Sequence, residues 1–151
     1  MLQFPVKVSN VIEVFYTPAM GGALPIHSDS GPICNNTKLN FTWGPKSSVT
    51  RWWKIKDIKF LQIIEAPFKY PFIVSDFGTD LVGTAEEKDC DQVFEQVIDR
   101  PSLMNVGQLH STYNPGNEAR YTLSFTLLNA DNTNVTFEKS CEIFSKVIDE
   151  Y

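Results

Sequence analysis

A mainly β chain, a sandwich or barrel of antiparallel strands with one or two short helices, is what this sequence predicts, and two observations carry the prediction. Turn signals recur about every ten residues: Pro18 with Gly21-Gly22, Gly31-Pro32, Gly44-Pro45, Pro67, Pro71, Gly78, Gly83, Pro101, Pro115-Gly116 and Asp131-Asn132. Between them β-branched and aromatic residues dominate, the side chains that suit a pleated, half-buried surface. Strands are expected over residues 11–17, 38–43, 50–55, 59–65, 72–75, 103–106 and 121–128. In the second of these, Leu39, Phe41 and Trp43 alternate with Lys38, Asn40 and Thr42, a period of two with one face wetter than the other. Residues 91–99 read either way, because Val93, Phe94, Val97 and Ile98 have helical spacing but strand-like branching. Phe137, Cys141, Phe144 and Ile148 fall at i, i+4, i+7 and i+11, which predicts a short amphipathic helix over about 138–149.

At 151 residues the chain is expected to be a single domain, 1–151, with no repeats or linker-like tracts. Its 42% hydrophobic and 21% charged residues are ordinary for a globular protein. The longest apolar run is too short to span a bilayer, and Met-Leu-Gln-Phe-Pro-Val-Lys does not open like a secretory signal. Cys34, Cys90 and Cys141 are odd in number and widely spaced, so neither a disulfide framework nor a structural zinc site is expected, and reduced thiols in a cytoplasmic protein are. The net charge of -5 gives no overall attraction to nucleic acid or an anionic membrane. One local exception is Lys46, Arg51, Lys54, Lys56 and Lys59, opposed only by Asp57 and accompanied by Trp43, Trp52 and Trp53. Such a mixture suits a base-stacking groove, but a solvated strand face beside a tryptophan-rich core accounts for it better.

The two histidines carry the functional information. His27 opens the triplet His27-Ser28-Asp29, and His110 precedes Arg120 by ten residues. Side chains two apart on a strand point the same way, so His27 and Asp29 can share one cavity while His110 arrives from a distant strand. Two imidazoles and one carboxylate on one face of an ion form the ligand set that selects Fe(II) and leaves positions open for chemistry. A buried guanidinium needs an anion, and its fork fits a carboxylate at two points. Arg120 and Thr122, on one strand face, would therefore grip the far carboxylate of a diacid whose other end chelates the metal, which points to 2-oxoglutarate.

In this order the chain resembles the Fe(II)/2-oxoglutarate-dependent oxygenases. The resemblance runs through Pro25-Ile-His27-Ser-Asp29, Leu39-Asn40-Phe-Thr-Trp43, Ser48-Val-Thr-Arg-Trp-Trp53, Pro101-Ser-Leu-Met-Asn105 to His110, and Arg120-Tyr-Thr-Leu-Ser124. It implies a double-stranded β-helix, the jelly roll shared with cupins. It further implies Fe(II) on His27, Asp29 and His110, with 2-oxoglutarate and O2 as co-substrates. The reaction implied is oxidative decarboxylation to succinate and CO2 coupled to hydroxylation of a small molecule or a protein side chain. By the same resemblance Asn40 would meet the 1-carboxylate and Tyr16 would hydrogen-bond the co-substrate. Threonine at 122 stands where many relatives carry serine, and the chain is near the minimum length for this core, with the helices that buttress larger relatives mostly missing. Two other functions fit a small β domain: a non-enzymatic cupin-like or viral structural jelly-roll module, and an oxygenase acting on nucleic acid through the basic, tryptophan-rich segment.

Overall fold

Ten strands, one α-helix and two single 3-10 turns are found among the described residues, 5–29, 32–65 and 81–147, of the computed structural model. The strands are β1 (Lys7–Thr17), β2 (Gly22–Ser28), β3 (Thr37–Trp43), β4 (Val49–Ile55), β5 (Gln62–Glu65), β6 (Leu81–Thr84), β7 (Cys90–Gln96), β8 (Ser102–Asn105), β9 (His110–Asn114) and β10 (Arg120–Leu128), followed by α1 (Phe137–Phe144). They form two antiparallel sheets, ordered β1-β10-β3-β8 and β5-β6-β2-β9-β4-β7.

The first four strands alternate between the sheets, and the last four retrace that path in reverse. Thus β7 pairs with β4, β8 with β3, β9 with β2 and β10 with β1. Pairing of β10 with β3 and of β9 with β4 then completes each sheet. The hairpin of β5 and β6 extends the second sheet beside β2. This winding brings residues 27 and 110 side by side despite their separation in sequence.

Of the expected strands, 72–75 lies outside the described residues. The strand expected over 59–65 is shorter than that. Asp57 accepts a hydrogen bond from the Lys59 amide, caps a 3-10 turn at Ile58–Phe60, and delays the strand to Gln62. The ambiguous segment is strand β7, an edge paired only with β4, and a bulge opposite Trp52 and Trp53 explains why its apolar residues break strand period. The predicted helix begins at Phe137, where Thr136 accepts from the Lys139 amide, and ends at Phe144, earlier than expected. Strands β2, β6 and β9, not among the expected set, are short and rich in glycine or polar residues, so propensity alone does not reveal them.

Two apolar clusters hold the sheets. Ile26, Trp53, Cys90 and Leu109, backed by Ile33, Ile55, Leu61 and Ala85, cover the outer side of the six-stranded sheet. Ile98, Met104 and Val106 pack with Trp52 near β8. The four-stranded sheet is turned inside out relative to a simple sandwich. Its wetter face, with Lys38, Asn40, Thr122 and Ser124, points inward, and the alternate residues Leu39, Phe41, Trp43, Tyr121, Leu123 and Phe125 point outward. At Gly44, just beyond β3, the backbone φ is 140° and a Cβ would lie 2.9 Å from Arg120 Cα, so this position needs glycine for β3 to pass the start of β10.

Candidate functional site

Between the sheets lies a cleft lined among others by His27, Asp29, Asn40, Thr50, His110, Arg120, Thr122 and Ser124. The path of β2 into this cleft depends on an irregularity. Leu24 faces Thr112 and His27 faces His110, so β2 carries one extra residue across Pro25-Ile26. Strict alternation would turn residues 24, 26 and 28 inward. The bulge instead sends Ile26 into the outer cluster and aims His27, then Asp29, at the cleft. The Asp29 amide donates to the Val106 carbonyl at 2.9 Å, which fixes the end of this segment.

His27 and His110 are oriented by the same local device. Their Nδ1 atoms lie 2.8 Å from the Pro25 carbonyl and 2.9 Å from the Gln108 carbonyl, each two residues upstream. A carbonyl can only accept, so each Nδ1 carries a proton and each Nε2 is the atom that can ligate once it is unprotonated. Both Nε2 atoms face the same carboxylate oxygen: Asp29 Oδ1 is 3.4 Å from His27 Nε2 and 3.7 Å from His110 Nε2. One donor atom from each residue lies within 4.8 Å of the other two. An ion with bonds of ~2.0–2.2 Å spans donors separated by ~3–4 Å, so the donor set fits a divalent metal after small side-chain shifts. Back-side hydrogen bonds on both imidazoles are the usual means of fixing metal-ligating histidines.

Lys38, which sequence reasoning missed, completes this group. It is buried on β3, and its Nζ donates to Asp29 Oδ2 at 2.6 Å and to the Glu13 carboxylate. Asp29 is thereby divided, with Oδ1 facing the imidazoles and Oδ2 held by the ammonium. The signal for Lys38 was its place in the wetter period of β3, but a solvated lysine has the same pattern.

The charges follow this geometry. Burial opposes ionisation of Asp29, yet Lys38 and the two histidines hold its carboxyl well below the usual range. Burial likewise opposes the charge on Lys38, but Asp29 and Glu13 outweigh it and raise its pKa. His110 is pushed down to about 4, chiefly by burial and then by His27. For His27 burial works against the charge, but the bond to Asp29 and its negative charge leave the pKa raised. Neutral His110 is ready to ligate, whereas His27 must first release a proton, so metal affinity rises with pH through and above the ordinary histidine range.

Arg120 opens β10 on the other side of the cleft and is only 3% exposed. Its Nη2 donates to Thr50 Oγ1 at 3.0 Å and its Nη1 to the Val49 carbonyl at 3.4 Å. Among the described residues no carboxylate pairs with it, and burial alone lowers its pKa to about 10. Comparison of the chain with known protein families, with curated proteins and with solved structures finds no match. The chemistry of this cleft therefore rests on its own residues.

The remaining candidates divide. Thr122 lines the cleft, with its Oγ1 2.9 Å from that of Thr42, and Asn40 lines it with its amide fixed between Ser124 and Met104. Tyr16 does not reach the cleft. It is 54% exposed on the outer face, with its ring 5.3 Å from that of Tyr121, while Phe15 and Thr17 line the interior. Strand alternation puts Tyr16 on the opposite side from the pocket, which corrects its expected contact with the co-substrate. Thr50 and Ser124 are further polar lining residues that sequence reasoning did not single out. In the basic segment, Arg51 pairs with Glu95, Lys56 with Asp91 and Lys59 with Asp57, and Trp53 is buried with its indole N–H donating to Ser111.

Proposed function

We propose that this chain is an Fe(II)- and 2-oxoglutarate-dependent oxygenase built on a double-stranded β-helix. The observation that carries the reading is a single cleft with two opposed features: three converging metal donors, and a buried guanidinium without an acid partner among the described residues. A buried charge of that kind is costly unless a ligand supplies the counter-charge. A metal donor set alone suits many proteins; paired with an anion clamp it suits a diacid that chelates at one end. The strand order supports the fold assignment, since β1-β10-β3-β8 opposite β2-β9-β4-β7 is the winding of a hairpin wrapped into a jelly roll.

His27, Asp29 and His110 would hold the iron, which when bound supplies open coordination positions for a keto acid and O2 and the oxidising power for hydroxylation. The protein's own contribution is orientation. Arg120, steadied by Thr50, binds the distal carboxylate, with the Thr122 hydroxyl on the same strand face. Asn40 and Ser124 offer polar groups elsewhere in the cleft, and Phe15, Leu24, Met104 and Val106 form apolar wall that limits water. By holding Oδ2 of Asp29, Lys38 leaves one oxygen to the metal and keeps the carboxylate from occupying a second position. The substrate in this reading is a small molecule or a protein side chain.

Purified protein supplied with Fe(II), O2 and 2-oxoglutarate is expected to release succinate, slowly when no substrate is present. Screening metabolites and peptides for faster release identifies the substrate. Absence of both 2-oxoglutarate binding and succinate formation in iron-supplemented protein would remove this proposal.

A further inference from the structure

The outer face of the four-stranded sheet takes no part in the cleft. Register places Tyr16, Tyr121 and Trp43 in one cross-strand row, and Val14, Leu123 and Phe41 in the next. A third row continues with Ile12, Phe125 and Leu39. All are apolar or aromatic, yet Val14 and Tyr16 are each 54% exposed, Trp43 53% and Tyr121 49%. The helix α1 packs beside β8, at the opposite edge of the sheet from β1. Scattered exposed apolar residues are normal on a protein surface, but three contiguous rows spanning three strands are not.

We infer that this face joins two copies of the chain in a symmetric dimer, sheet against sheet. The area supports that occupant. The half-exposed aromatic rings, each with about half of an aromatic side chain's ~150–250 Å2 still to bury, together with the aliphatic side chains give a face of roughly 500–700 Å2. A standard interface buries ~800 Å2 per partner, so the face approaches one half of a stable dimer and needs only rim contacts to complete it. Its chemistry supports the same choice. With no charged side chain in these rows, it selects by shape, and two twisted sheets pack face to face at ~10 Å with interdigitating side chains. A two-fold axis through the middle row matches each face with its own equal and closes the assembly at two copies. The cleft lies on the other side of this sheet, so dimerisation leaves it open and does not depend on the metal reading.

Sedimentation equilibrium or light scattering on the full chain tests the inference. The expected mass is twice 17.1 kDa at micromolar concentration. Val14→Lys and Tyr121→Lys, each at a half-exposed position, are expected to give folded monomers with wild-type circular dichroism. If one variant fails to fold, the other carries the test. A wild-type protein that remains monomeric to ~100 µM, above the micromolar-to-picomolar range in which interfaces of standard size associate, would overturn the proposal. So would a dimer that persists in a folded lysine variant. Metal and 2-oxoglutarate binding, measured on the same samples, report separately on the cleft.

Discussion

Replacing Arg120 by methionine is expected to weaken 2-oxoglutarate binding by about 10²- to 10³-fold, the loss of a charge-assisted pair worth ~3–4 kcal/mol in a desolvated site. The ligand-free protein should not suffer in parallel. Arg120 is buried beside Thr50 and the Val49 carbonyl, so removing its charge relieves desolvation while sacrificing two hydrogen bonds to neutral groups. Stability is therefore expected to stay level or rise by about 1 kcal/mol. Calorimetric titration with 2-oxoglutarate and a thermal melt of the same sample measure both effects. A structural arginine gives the reverse pattern, a lower Tm with ligand affinity unchanged, and that result would remove the anion clamp.

Lys38→Met should produce the second large effect. In metal-free protein it leaves Asp29 and Glu13 without their shared ammonium, and breaking a buried pair by removing one partner costs ~3–5 kcal/mol. Glu13 is partly exposed, which places the expectation near the lower end, about 3 kcal/mol. For a domain of this size the Tm should fall by roughly 6–12 °C. Added divalent cation should restore much of that loss, because the ion supplies Asp29 with the positive charge that Lys38 gave. Melts of wild type and variant with and without Co(II) check this. Equal Tm losses in both conditions would show that Lys38 does not act through Asp29.

What was legible in the sequence was which rare residues meet. The chain has only two histidines, and the winding of the strands brings His27, Asp29, His110 and Arg120 to one cleft, as their order along the chain suggested. Lys38 was not legible, since a strand with alternating polar residues gives no sign of which face meets solvent. The same ambiguity misassigned Tyr16. Its neighbour Phe15 lines the cleft, and a one-residue choice of parity decides which of the two does. Thr50 was hidden for another reason: it lies on β4 of the six-stranded sheet and meets Arg120 of β10 only because the two sheets face each other across the cleft. The bulge at Pro25-Ile26, by contrast, is local, and a proline two residues before the histidine was its sequence trace.

The fold account has the same boundary between local and long-range information. Long strands such as β1 and β10 are visible because many β-forming residues act together. Short β6 and β9 exist because neighbouring strands satisfy their backbone groups, and β7 keeps its form despite half-exposed side chains because β4 pairs with it.

Anaerobic titration with Fe(II), followed by 2-oxoglutarate, tests the central claim most directly. The account predicts one ion bound per chain, tighter at about pH 8 than at about pH 6 because His27 must lose its proton. It also predicts a weak visible charge-transfer band only when ion and 2-oxoglutarate are both present, absent from folded His110→Ala and Asp29→Ala proteins. Failure to bind one ion per chain, or binding and a band that survive both substitutions, would contradict it.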